Sequence, residues 1–97
     1  MDRWLWTWSG ASFGFQDGDQ LFGQDGSHVG KFVESEIFDA RTGRYLGEVI
    51  DDRLIRKVSK AHKVRTPPSP RTRSARAPRA PRSPRVMRVG YEDWPLG

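Results

Sequence analysis

Residues 25–32 read DGSHVGKF, and closely similar stretches occur twice more in the chain. The pattern appears earlier as SGASFGF, residues 9–15, and later as TGRYLGEV, residues 42–49. Each copy has a turn glycine, then an apolar residue three positions further on, and then a second glycine. Self-similarity at a nearly constant spacing indicates a body built from one repeated structural unit.

The repeated unit predicts a β-hairpin. An apolar pair precedes each turn, and the flanking residues alternate in character, as in RWLWTW at residues 3–8. Alternation with aromatic enrichment is typical of strands, and a turn glycine supplies the positive φ that a tight hairpin needs. Three hairpins are therefore predicted, over residues 3–16, 19–33 and 36–50.

A fourth unit is degenerate. Leu54 and Ile55 stand where the other units have their apolar pair, but neither of the two glycines is present. This part of the sequence is compatible with a fourth hairpin that returns through residues 60–64, or with a single closing strand over residues 53–58. Residues 52–63 also fit a short amphipathic helix.

The second glycine of each copy lies in the middle of a predicted strand, at Gly14, Gly30 and Gly47. Glycine at such a position costs entropy and contributes no side chain to packing, so its usual reason is the close approach of another group. We therefore predict that equivalent positions of the hairpins crowd together and leave no room there for a Cβ atom.

The body resembles the uncharacterised 4-fold β-flower family, in which short hairpins are arranged like petals with approximate four-fold symmetry. The resemblance rests on the units WLWTWSGASFGF, QLFGQDGSHVGKF and EIFDARTGRYLGEV followed by DRLIRK, and it covers residues 3–58. It implies an all-β fold but no established activity, so it assigns no catalytic or binding residue. The predicted fold is a small pseudo-symmetric, barrel-like or flower-like body followed by an extended Arg/Pro-rich tail.

Charge is distributed unevenly along the chain. Residues 1–57 hold 7 Lys/Arg and 10 Asp/Glu, a net charge of −3, whereas residues 58–97 hold 10 and 2, a net charge of +8. All seven prolines lie at or after Pro67. The shift in composition indicates a mildly acidic body that is followed by a basic tail.

Three parts are predicted from this division. Residues 1–64 form the hairpin-repeat domain, residues 65–85 a flexible Arg/Pro-rich linker, and residues 86–97 a short aromatic segment. The linker has no apolar residues for a core and cannot offset its ordering entropy. The aromatic segment is expected to dock on its own body or on a symmetry mate, in preference to another partner.

No catalytic constellation is visible, and the protein is predicted not to be an enzyme. The chain has no Cys, and its two His lack the further ligands that a metal site needs. GSHVGK, residues 26–31, differs from a phosphate loop in its glycine spacing and in its strand context. We predict no cofactor, no metal and no catalytic residue, and we interpret the Asp residues near turns as turn formers.

The tail carries the strongest functional signal. Clustered Arg attracts nucleic acid and other polyanions in a salt-dependent way, although a solubilising extension that folds back on the acidic body is the alternative. Trp4, Trp6 and Trp8 fit either a stacking platform for bases or sugars or, preferably, the core. The candidate polyanion-binding residues are Arg65, Arg71, Arg73, Arg76, Arg79, Arg82, Arg85 and Arg88.

The sequence predicts a structural or interaction module that binds a protein partner or associates with itself. Nucleic acid, bound through the tail, is the alternative partner. No stretch approaches the run of about 20 apolar residues that a membrane span requires, so no membrane partner is expected. The absence of Cys fits a cytoplasmic location.

Overall fold

The structure, a computed structural model, describes residues 2–96 and contains no α-helix within them. One short 3₁₀ turn spans Val58–Lys60. The described residues form eight strands, which are in chain order β1 (Asp2–Thr7), β2 (Ser12–Asp17), β3 (Gln20–Gly23), β4 (His28–Val33), β5 (Glu36–Asp39), β6 (Tyr45–Ile50), β7 (Arg53–Lys57) and β8 (Tyr91–Asp93).

The strands form one sheet in sequence order, and every consecutive pair is antiparallel. The sheet closes because β1 also pairs with β7, in parallel, through Trp6 with Arg53 and Thr7 with Leu54. The result is a ring of seven strands with β8 added on β7. The all-β prediction and the three hairpins, β1–β2, β3–β4 and β5–β6, are confirmed.

Each hairpin contains a bulge at the same place in its repeat. In β3–β4, Leu21 pairs with Gly30 and the next pair is Phe22 with His28, so Val29 is the extra residue. A bulge bends the strand and redirects its side chains. The extra residues Phe13, Val29 and Leu46 all pack against the central core cluster.

The recurrent glycine next to each bulge allows the neighbouring strand to approach. A Cβ on Gly30 would lie 2.6 Å from the carbonyl oxygen of Phe38, and one on Gly47 would lie 2.5 Å from that of Ile55. The prediction that these positions leave no room for a Cβ is therefore confirmed, but the crowding atoms do not belong to the equivalent positions of the other hairpins. The crowding comes from the backbone of the next strand in the ring.

The residues of the core occupy equivalent positions in the repeated units. The first member of each apolar pair is completely buried in one central cluster: Leu5, Leu21, Ile37 and Leu54. Because neighbouring residues on a strand face opposite sides, the second members lie on the other side of the sheet. There Trp6 and Phe22 form a second buried cluster with Trp4 and Phe15.

The fourth unit is completed from the far end of the chain. Residues 60–64 form no return strand; instead, β8 pairs with β7. Trp94, which follows β8, is 3% exposed and belongs to the central cluster, with its ring edge-on to Phe13 at 5.5 Å between centroids. Of the arrangements that the sequence left open, β7 is the single closing strand. The amphipathic helix considered for residues 52–63 is wrong, because the chain there forms β7 and the short 3₁₀ turn.

Residues 65–90 contain no strand or helix and lie along the outside of the body. Two isolated bridges join the start of the tail to hairpin tips, one between Val64, which precedes this region, and Arg44, and one between Thr72 and Ser27. The division into a 1–64 domain, a flexible linker and a terminal segment concerns behaviour in solution, and it stays a prediction.

Candidate polyanion interface

The tail passes the three hairpin tips in the reverse of their chain order. At each tip, a tail amide donates to the carbonyl of the turn glycine. The backbone groups at these tips are therefore paired with the tail. The bonds are Arg65 N to Gly43 O at 2.7 Å, Arg73 N to Gly26 O at 3.0 Å and Arg82 N to Gly10 O at 2.8 Å.

Six of the tail arginines recur at every third residue. A polyproline II segment has three residues per turn, so a side chain at every third position projects from one side of it. We call this set the arginine row, and it comprises Arg73, Arg76, Arg79, Arg82, Arg85 and Arg88.

The arginine row lies over a continuous strip of aromatic rings on strands β1 to β3. Across these strands Trp4 pairs with Phe15, and Phe15 with Phe22, which brings their centroids to 6.2 and 5.4 Å. Trp6 and Trp8 continue the strip along β1 and past its end. We call these five residues the aromatic floor.

Each arginine of the row lies over a ring of the floor. The closest guanidinium carbons are those of Arg82 over Trp6, at 3.7 Å from the centroid, and of Arg76 over Phe15, at 3.8 Å. Planar guanidinium groups stack on aromatic faces and gain a cation–π attraction. The other pairs are Arg73 with Phe22, Arg79 with Trp4, and Arg85 and Arg88 with Trp8.

Two tryptophans of the floor also hold the backbone of the tail. The indole Nε1–H of Trp6 donates to the carbonyl of Ala80 at 2.9 Å, and that of Trp8 donates to the carbonyl of Val86 at 3.1 Å. Buried indole N–H groups usually find such a partner. The tail is therefore bound by its main chain as well as by its arginines.

Carboxylates beside the floor pair with part of the arginine row. Arg73 pairs with Asp17, Arg82 with Asp52, and Arg85 with Asp51, the last at 3.1 Å. The three arginine side chains remain 54%, 47% and 36% exposed. At that exposure each ion pair contributes little to stability, and the guanidinium edges are still accessible to solvent.

The predicted site residues fall into two groups. The arginine row is collected on one surface, whereas Arg65 lies apart over the ring of Phe38 at 5.5 Å. Arg71 lines a separate cavity of about 450 Å³ together with His28, Arg41 and three prolines. Burial lowers the pKa of His28, and the positive charge of Arg71 lowers it further.

Trp4, Trp6 and Trp8 are all buried, at 8%, 7% and 3% exposure, as the core interpretation predicted. They lie outside the central cluster, and the tail covers them. A feature that the sequence reading missed is the pairing of this floor with the tail. Two patterns in the sequence together were the signal for it. Arginines at every third residue project from one side of an extended tail, and tryptophans at every second residue of a strand present their rings on one face.

A second charged cluster lies on the opposite part of the ring. Lys60 contacts Glu36 at 2.6 Å and Glu48 at 2.8 Å, and Tyr45 donates to Glu48 at 3.0 Å. The hydrogen bond from Lys60 lowers the pKa of Glu36, with a further contribution from Lys63. Burial raises the pKa of Tyr45, so its hydroxyl stays protonated. These groups satisfy one another and connect the 3₁₀ turn to strands β5 and β6.

Neither a metal site nor a membrane-spanning helix is present in the part of the chain that the structure describes. Within residues 2–96, no group of three or more His, Asp or Glu side chains is arranged to hold a metal ion. No helix within the same residues has the length and apolar character needed to cross a membrane.

The fold defines the protein as a small all-β protein of pseudo-symmetric hairpins in a closed ring. A family model described as 4-fold beta flower protein matches residues 1–94. The chain therefore belongs to the 4-fold β-flower family. No curated protein and no solved structure matches it.

Proposed function

We propose that this chain is a non-enzymatic interaction module that binds polyanions, nucleic acid first among them, through the arginine row. The observation that supports the proposal most is the fixed spacing of six guanidinium groups on an aromatic floor. A guanidinium group whose face lies on a ring, as at the two closest pairs, directs its N–H donors outward from its edge, and phosphate oxygens accept from such donors. Because the floor orients the side chains, less side-chain entropy is lost on binding.

The expected recognition is independent of base sequence. Contacts to phosphates fix position on a nucleic acid but carry no sequence information. The acidic residues at the floor, Asp17, Asp51 and Asp52, already neutralise part of the row, so affinity should be moderate and strongly dependent on salt. We place this activity in the cytoplasm, consistent with a chain that lacks Cys.

The test is a titration of a mixed-sequence single-stranded oligonucleotide with the full-length chain at several salt concentrations. A double variant, Arg79→Gln/Arg88→Gln, removes two charges of the row, and Lys31→Gln/Arg44→Gln removes two charges elsewhere as its control. If each arginine neutralises one phosphate, at about 0.7 per phosphate, the magnitude of the log–log salt slope should fall by about 1.4 in the Arg79→Gln/Arg88→Gln variant.

Three outcomes would count against the proposal. The first is no binding by the wild-type chain at about 50 mM salt. The second is an equal loss of binding in the Arg79→Gln/Arg88→Gln variant and in its control. The third is a strong preference for one base sequence. The first two would remove the arginine row as the binding element. The third would require base contacts that a row of stacked arginines does not explain.

A further inference from the structure

We propose that the aromatic floor is itself a peptide-binding site, whose ligand is an extended segment of another protein with Arg at every third residue. In this structure, residues 71–90 of the chain's own tail occupy the site. The inference concerns the surface beneath the arginine row and does not depend on polyanion binding by the row.

The contacts define what such a ligand must carry. The body provides ring faces for guanidinium groups, indole N–H donors for main-chain carbonyls, and carbonyls at Gly10 and Gly26 for main-chain amides. Side chains between the arginines, from Ser74 to Pro84, are exposed. Recognition therefore reads arginine spacing and backbone, as aromatic grooves do when they bind polyproline II segments.

Charge complementarity favours a basic ligand at this surface. Residues 1–57 carry a net charge of −3, and three of their carboxylates, Asp17, Asp51 and Asp52, lie beside the floor and pair with the row. A segment with alternating Arg and small or Pro residues supplies the opposite charge. Proline between the arginines pre-orders the extended backbone and reduces the entropy lost on docking.

The anchoring of the tail decides which occupant we propose. Beyond residue 90 the chain continues into β8, which pairs with β7, and into Trp94, which is buried in the core. Exchange of whole tails between two copies would have to extract Trp94. A segment from another protein needs to displace only the stretch between Thr72 and Gly90, so we assign the site to such a segment.

The resident tail competes with any such ligand. A tethered segment acts at an effective concentration of about millimolar, so the wild-type floor is largely occupied in cis. Apparent affinity for an added segment is reduced in proportion to the fraction of molecules whose floor is free. Weakening the tail should therefore tighten binding of a segment added in trans.

The experiment uses full-length protein and a fluorescently labelled synthetic peptide of residues 71–90 as the probe. The row variant is Arg76→Gln/Arg82→Gln, because these two guanidinium groups are the closest to their rings. The control variant is Lys31→Gln/Arg44→Gln, which removes the same charge outside the tail. A second peptide has the same composition, with its arginines moved off the three-residue spacing.

We expect the row variant to bind the periodic peptide at least about ten-fold more tightly than the wild type, and the control variant to match the wild type. The scrambled peptide should bind the row variant at least about ten-fold more weakly than the periodic one. Equal affinities for the three proteins, or for the two peptides, would overturn the proposal, since attraction of charge alone would then explain binding.

Two further measurements keep the test decisive. If the double variant does not fold, Arg79→Gln replaces it, because its guanidinium is farther from its ring, at 5.6 Å, and a gain of several-fold is expected. Light scattering should show one peptide on a monomer. A dimer of the full chain in the absence of peptide would overturn our assignment, because the tail of a second copy would then be the segment that occupies the aromatic floor. Oligonucleotide binding is measured separately, so either proposal can fail alone.

Discussion

Replacement of Gly30 by Ala tests how the ring closes. Gly30 lies in β4 with ordinary negative-φ backbone, so added strain would come from its surroundings and not from its own conformation. The new Cβ would lie 2.6 Å from the carbonyl oxygen of Phe38 and 3.0 Å from Cγ2 of Ile37. Both neighbours belong to β5, which is itself held between β4 and β6.

The size of the effect follows from these distances. A carbon and a carbonyl oxygen need about 3.3 Å, the lower end of weak C–H···O contacts, so the Phe38 carbonyl must move by about 0.7 Å. It cannot rotate away as a side chain would, because it is part of a paired strand. Overpacking of this kind costs about 1–3 kcal/mol, and we expect a loss of about 2 kcal/mol.

Gly23→Ala is the matched control. A Cβ at Gly23 would lie 3.0 Å from Oδ1 of Asp25 and 3.3 Å from Oγ of Ser27, which are exposed side-chain atoms that can move. Removing a glycine also restricts the unfolded chain, which stabilises a protein by about 0.4–1 kcal/mol where the backbone is compatible. The control should therefore change stability by less than about 1 kcal/mol.

The assay is urea unfolding of the wild type and of both variants, followed by far-UV circular dichroism. With a slope of about 1.5 kcal/mol per molar urea, Gly30→Ala should lower the midpoint by about 1.3 M, and Gly23→Ala should leave it within about 0.7 M. Equal midpoints for the two variants would refute the explanation of the recurrent glycine as a place of backbone contact.

Two further predictions concern the C-terminus and the charged cluster. Trp94→Ala should lower the free energy of unfolding, measured in a urea melt, by about 3–5 kcal/mol. The control Leu96→Ala, at a half-exposed site, should change it by less than about 0.5 kcal/mol. A loss as small as that of the control in Trp94→Ala would contradict the place of Trp94 in the core. The hydrogen bond from Lys60 holds the pKa of Glu36 below its ordinary 4.5. Ionised Glu36 therefore stabilises the folded state above about pH 4.5, and this stabilisation is lost as the pH falls through the lowered pKa. The urea midpoint of Glu36→Gln should consequently fall less on acidification than that of the wild type, and parallel falls in this variant and in the exposed control Glu34→Gln would disprove the linkage.

The hairpins could be predicted from the sequence because their signals are local. Gly26 and its equivalents specify turns, and the apolar pairs specify which residues face the centre. The partner of β7 could not be predicted in the same way, because β8 begins 34 residues after β7 ends. A repeat unit that pairs with its neighbour in sequence would have its return strand at residues 60–64, but the 3₁₀ turn at Val58–Lys60 follows β7 and these residues form no strand.

The candidate site was predicted only in part, for a related reason. The arginines were identified by charge, but their partners lie in other segments and carry other signals. Asp17, Asp51 and Asp52 fit the composition of turns, and the structure places each beside the tail. The three-residue period of the row becomes meaningful only when it is compared with the aromatic alternation of β1.

The same contacts that make the tail a candidate ligand also make it part of the fold. A sheet needs cover on any apolar face, and the outer face of β1 to β3 presents five large aromatic rings. Without cover, such a patch favours association or aggregation. A segment that displaces the tail must therefore replace its cover as well as its charges. It follows that release of the tail and binding of a partner are coupled, and that a bound partner should stabilise the displaced state by a free energy that grows with the logarithm of the partner's concentration.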